Sequence, residues 1–181
     1  MAVRTSDCGW VNGCGRYPRD GMDERRVRNL VKGWHQRSRI EGDLTTKFVF
    51  LWFCFNAWLA FESNEDTDRE MINWLKDPRA AGSQLRSSFK LAAGSTVFSG
   101  HLKALAGYSP ISSTGRRQRV VQIGSAEDFP DVVEGIYQVR CNLFHGGKEP
   151  GNPRDDKLVR VCALILEKWV GNLVASWRSS S

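Results

Sequence analysis

Phe48-Val-Phe-Leu-Trp52-Phe-Cys-Phe55-Asn56-Ala-Trp58-Leu-Ala-Phe61 is apolar on nearly every side of a helix, with a single amide, Asn56, in its middle. A helix with almost no polar face belongs at the centre of a bundle, where other helices cover it all round. The run is 14 residues long, short of the ~20 that a membrane-crossing helix needs. It therefore reads as a buried core helix, and no membrane partner is expected. Asp43 or Thr45 stands ahead of it as a cap.

Helical periodicity continues on both sides. Val27, Leu30, Val31 and Trp34 fall at spacings of three and four and mark one face of a helix from Gly21 to about Arg39. Thr67-Asp-Arg-Glu70 is a capping box that opens a short helix through Met71, Trp74 and Leu75, stopped at Asp77-Pro78. Residues 79–106 read as one or two short helices interrupted around Gly94-Ser95. Residues 107–124, with Pro110, Gly115 and Val120-Val-Gln-Ile123, read as a long loop with a short extended segment. Ser125 is expected to cap a helix that buries Phe129, Val132, Val133, Ile136, Tyr137, Leu143 and Phe144 and stops at Gly146-Gly147 and Pro150. After a second loop, Gly151–Arg154, the last helix runs from Asp155 or Asp156 to about Trp177 on Leu158, Val161, Cys162, Ile165, Trp169 and Leu173. The fold class is all-α: a bundle of about five to seven helices with an antiparallel core. One domain is expected over 21–178, behind a flexible Gly- and Arg-rich leader at 1–20.

The totals agree with one soluble domain. A chain of 181 residues can bury a core without staples. Its net charge of +6, with 18 arginines among 26 basic residues, suits a polyanionic partner. The five cysteines are odd in number, and three lie in apolar helical stretches, as reduced thiols do. Cys8 and Cys14 lack a second pair at zinc-like spacing, so no metal and no other cofactor is expected. The first twenty residues hold no apolar segment of signal-peptide type, and the location expected is cytoplasmic.

Chemistry concentrates in Tyr137-Gln-Val-Arg140-Cys-Asn142-Leu-Phe-His145-Gly146-Gly147. Arginine holds phosphate oxygens, and histidine moves protons near neutral pH. Spacing alone says little: with 18 arginines and three histidines, about one Arg followed by His after four to six residues arises by chance. Arg28 and His35 meet the same loose pattern. What marks position 140 is its place on a buried stripe. A guanidinium there needs either a carboxylate, with Glu134, Glu167 or another buried acid as candidates, or a cleft that holds an anion. Five helical residues turn through roughly 500°, which points Arg140 and His145 about 140° apart. Bringing them together requires a broken helix end at Gly146-Gly147, a second copy of the chain, or both.

The Arg-x4-His element at a helix end, Arg140-Cys-Asn-Leu-Phe-His145-Gly-Gly, resembles the signature of the HEPN superfamily. The aromatic helix about 80 residues upstream, Phe50-Leu-Trp52-Phe-Cys-Phe55-Asn56-Ala-Trp58, is similar to one those proteins often carry. The resemblance covers roughly residues 22–178. It implies a HEPN-like helical bundle that forms a homodimer with the Arg140–His145 segments facing each other. It also implies a metal-independent endoribonuclease of the toxin–antitoxin, phage-defence or RNA-processing kind, with RNA and an antitoxin or regulatory protein as partners. On that reading the ribose 2′-OH attacks the adjacent phosphate to give a 2′,3′-cyclic phosphate and a 5′-OH. His145 is general base or acid, Arg140 stabilises the gathering charge, and Asn142 orients substrate or imidazole.

The residue after the motif arginine, often polar in the family, is here Cys141. Some members are non-catalytic, so the alternative is a HEPN-like module that binds RNA, a nucleotide or a protein. A further alternative is a helical interaction protein in which Arg140 is a structural ion pair. Asn56 either reaches the site as a substrate contact or satisfies a buried backbone group. Arg116, Arg117 and Arg119 either track an RNA backbone or decorate a solvated loop, and Lys148 and Arg154 flank the motif loop as phosphate contacts.

Overall fold

The apolar run sits inside a helix longer than itself, α2 (Leu44–Ser63), capped by the Asp43 side chain, which accepts from the Thr46 N–H. Asn64 ends it in the left-handed region at φ 54°, its N–H bonded to the Ala60 carbonyl. Asparagine tolerates that conformation better than bulkier residues do. At 20 residues, α2 is long and apolar enough to cross a membrane by length and composition. Its packing gives the better account of its composition, because α1 (Glu24–Ile40), α3 (Asp68–Lys76) and α7 (Pro153–Ser176) cover it.

The structure is a computed structural model that describes residues 23–113, 119–145 and 152–177. Among these are seven α-helices, the others being α4 (Gln84–Ala93), α5 (Thr96–Ala106) and α6 (Phe129–Phe144), with a 3-10 turn at Pro78–Gly82. Two short antiparallel strands, β1 (Ile111–Ser112) and β2 (Val120–Val121), pair Ile111 with Val121 and Ser112 with Val120. The protein is all-α with one small hairpin. The leader expected at 1–20, and with it Cys8 and Cys14, lies outside the described residues.

Helix α7 is the hub, touching α1, α2, α4, α5 and α6. Its Trp169 is fully buried among the rings of Phe55 on α2, Phe89 on α4 and Phe129 on α6, with centroids 4.9 to 5.7 Å away. The indole N–H donates to the Leu85 carbonyl at 2.8 Å, so the tryptophan leaves no polar atom unmet. One contiguous core runs from Val27 to Trp177.

Local signals place most boundaries. The Thr67 hydroxyl accepts from the Glu70 N–H and donates to the Glu70 carboxylate, completing the capping box. The interruption at Gly94-Ser95 separates α4 from α5 as expected. Two caps fall elsewhere. Asp128, not Ser125, caps α6, with Pro130 in the first turn, while Ser125 serves a turn by accepting from the Glu127 N–H. Asn152 caps α7, so Pro153 and Arg154 belong to the helix and not to the loop. In both cases proline fits the first turn, where its missing N–H costs nothing.

Candidate functional site

Helix α6 carries three kinds of residue to one end of the bundle. Its apolar stripe of Val132, Val133, Ile136, Tyr137 and Val139 is buried. Gly135 lets the hairpin seat closely, since a Cβ there would come within 2.8 Å of the Ile123 Cδ1. Polar and charged groups that share the buried surface are then forced to find partners within the chain.

Arg140 finds several. Its Nη2 meets the Asp68 carboxylate at 2.7 Å, and the two side chains are 19% and 24% exposed. Its guanidinium lies 5.6 Å from the Trp52 ring centre and 4.9 Å from that of Phe144, positions from which a cation is drawn to a ring face. The Nε is buried and has no hydrogen-bond partner. Asp68 is the partner, not Glu134 or Glu167; Glu167 instead takes the Lys47 ammonium at 3.0 Å.

Glu134 is the second buried charge on α6, and it gathers cations. Arg69 Nη1 reaches its Oε1 at 2.7 Å, Arg119 Nη2 reaches the same oxygen at 3.2 Å, and Lys76 Nζ binds Oε2. Burial alone would push this carboxyl up. Hydrogen bonds from Lys76 and Arg69, together with their charges, hold it below the ordinary glutamate value. Arg69 also lies over the Tyr137 ring at 4.4 Å. The signal for this cluster was present in the sequence, as a glutamate inside the apolar stripe beside Val132 and Val133.

Asn142 is buried, and its amide is engaged on both sides. Its Oδ1 accepts from Gln138 Nε2 and its Nδ2 donates to the Ser112 carbonyl, both at 2.8 Å. It ties the hairpin to the last turn of α6. His145 is the C-cap of that helix, exposed, with its backbone N–H bonded to the Cys141 carbonyl. Phe144 beside it is 42% exposed. Arg140 and His145 thus share one helix end, but Arg140 engages Asp68, Trp52 and Phe144, not the imidazole.

Family models, curated proteins and solved structures all fail to match this chain.

The other expected contacts divide. Arg119 joins Glu134 from the hairpin, while Arg154 is exposed in the first turn of α7. Asn56 is half-buried on α2, with its Oδ1 enclosed and without a hydrogen-bond partner. Arg116, Arg117, Lys148, Gly146 and Gly147 lie outside the described residues. Among the described residues no group of three or more His, Cys, Asp or Glu stands together as a metal site. A hollow of about 470 Å³, lined by Glu65, Glu70, Asn73, Trp74, Asp77 and Arg79, includes none of the catalytic or substrate-binding residues expected from the sequence.

Arg28 supplies an internal comparison. It pairs with Glu24 at 2.5 Å and stands 5.4 Å from the Trp177 ring centre, an environment like that of Arg140. The two histidines differ more. His35 is half-buried in the middle of α1, with its Nε2 near Gly171 of α7, whereas His145 is exposed at a helix end.

Proposed function

We propose that the C-terminal end of α6 is a HEPN-like, metal-independent endoribonuclease site, completed when two copies of the chain bring their Arg140–His145 segments together. The observation that carries this reading is the placing of Arg140. The guanidinium is held by Asp68 and two rings one turn from an exposed imidazole at the helix end. A guanidinium has five N–H donors in a planar fork, and one carboxylate contact leaves others free for phosphate. Phe144, exposed between the two, offers an apolar surface for a mate.

His145 transfers the proton and Arg140 stabilises charge on the non-bridging oxygens. Asn142 contributes by fixing the hairpin against the site. RNA is the substrate because the attacking group is its own 2′-OH. An antitoxin or regulatory protein and a cytoplasmic setting belong to the same proposal.

The test is cleavage of total RNA in the presence of a chelator by the parent chain, His145→Ala and Arg140→Ala. Loss of cleavage in both variants is expected. Equal cleavage by all three overturns the assignment.

A second reading rests on the Arg140–Asp68 pair itself. Because Arg28 has a similar environment without an exposed histidine beside it, a paired arginine over a ring also suits a purely structural role. The protein is then a helical interaction protein with Arg140 as a structural ion pair, and a parent chain that neither binds nor cleaves RNA favours it.

A further inference from the structure

The cation cluster at Glu134 is unbalanced. Three cations, Arg69, Lys76 and Arg119, converge on one carboxylate, leaving two positive charges unmatched. Among the described residues, the acids in the first turn of α3 and at its C-cap are engaged elsewhere. Asp68 is taken by Arg140, Asp77 by Arg79, and Glu70 closes the capping box with Thr67. Glu134 thus supplies one counter-charge for three cations that hold α3 and the hairpin against α6. Arg119, with 46% of its side chain exposed, opens the cluster to solvent.

Position sets what such a surplus can serve. Asp68 at the start of α3 meets Arg140 near the end of α6, while Lys76 at the end of α3 meets Glu134 further back, so the two helices run antiparallel. Along α6, Glu134 lies about 9 Å before Arg140, and His145 a further ~7.5 Å on, at 1.5 Å per residue. Measured along the α6 axis, the cluster anchored at Glu134, then Arg140, then His145 therefore follow in order.

We infer that Arg119, Lys76 and Arg69 form a phosphate-binding track that carries an RNA backbone along the seam between α3 and α6 towards Arg140, with Glu134 as the anion that holds the cations in place between ligands. The inference rests on RNA being the ligand of the α6 site, and adds where the strand lies. Phosphate contacts of this kind position a strand without reading its sequence. Glu134 has a double part: it orients the cations and it competes with the phosphates for them.

That double part gives two variants with opposite signs. Binding of the full chain to a short 2′-O-methyl RNA strand, which lacks the attacking hydroxyl, is followed by fluorescence anisotropy across a salt series. Arg119→Gln keeps a side chain able to donate to Glu134 but removes one charge, and is expected to reduce the slope of log affinity against log salt by about one. Glu134→Gln frees a cation and is expected to steepen the slope by about one, binding more tightly at low salt. Unchanged slopes in both variants overturn the track, as does a parent chain with no salt-dependent affinity for the strand. Should Glu134→Gln not fold, Lys76→Gln takes its place, with a reduced slope expected and an unchanged one counting against. Because the strand cannot be cut, the result is independent of catalysis. Shifted slopes without ribonuclease activity leave the track standing and remove the enzyme, and cleavage with unshifted slopes does the reverse.

Discussion

Asp68, the first residue of α3, and Arg140, just before the last turn of α6, meet at 2.7 Å and join two antiparallel helices at the end of the bundle that carries His145. Asp68 follows the N-cap Thr67, whose capping box is closed by Glu70, so the same first turn satisfies its own N–H groups and anchors the arginine of another helix. Any anion that binds Arg140 must share it with Asp68 or displace it.

Asp68→Asn is expected to destabilise the protein by about 1 kcal/mol, since the pair is partly solvated and its Coulomb energy is screened. Arg140→Ala should cost about 2 kcal/mol, because it also gives up the contacts with Trp52 and Phe144. Urea unfolding midpoints measure both. If Asp68→Asn costs as much as Arg140→Ala, the rings contribute little.

Glu134 ties stability to acid pH. Its folded-state pKa lies below the ordinary value of 4.5, so its contribution is complete above that value. The contribution is lost as pH falls through the depressed one. Glu134→Gln is expected to cost about 3 kcal/mol at neutral pH by leaving three cations without their anion. The difference between parent and variant should shrink as the pH is lowered below about 4.5. Thermal melts from pH 7 to 3 check the sign, and a gap that widens in acid contradicts it.

Glu62 should act in the opposite direction. It accepts from the Gln84 and Leu85 N–H groups at the start of α4, at 2.5 and 3.3 Å, yet burial raises its pKa above the ordinary value, outweighing those bonds. A carboxyl whose folded pKa is raised favours the folded state as pH falls into that range and opposes it as pH rises through it. Glu62→Gln is therefore expected to flatten the pH dependence of stability just above 4.5. An unchanged profile in the melts excludes this account.

The hairpin depends on two residues of α6. Asn142→Ala leaves the Gln138 amide and the Ser112 carbonyl without their partner, at an expected cost of about 1–2 kcal/mol. Gly135→Val pushes against Ile123, and should cost about 2 kcal/mol by lifting the hairpin off the helix. Hydrogen exchange separates the two. Asn142→Ala should speed exchange at the hairpin while the core of α7 stays protected. If exchange rises in α7 as strongly, the tie is not local.

Sequence periodicity carried the architecture well where a helix buries a regular face, as in α1, α2 and α7. It went astray at caps, where Asp128 and Asn152 displaced the expected residues. Several side chains near a helix start can cap it, and proline in the first turn decided both cases. The Arg140 environment was half legible. An arginine on an apolar stripe demands a partner, but periodicity cannot say which carboxylate arrives from another helix. Asp68 sits in the first turn of α3, where an acid suits the helix start and gives no sign of a contact with α6. The cluster at Glu134 needed the crossing of α3, α6 and the hairpin, a non-local fact that no single segment contains.

The order of the helices has a consequence for the growing chain. The helix with the least polar surface, α2, is synthesised early, whereas α7, which covers much of it, is the last of the described helices. About 90 residues separate Ser63 from Pro153. At roughly 5–20 residues per second, α2 waits some 5 to 20 seconds for that cover. Throughout that interval the nascent chain displays Phe55 and its neighbours to any binder of apolar segments. Premature termination before α7 would leave them displayed for good, making the truncated product a substrate for chaperones and proteases.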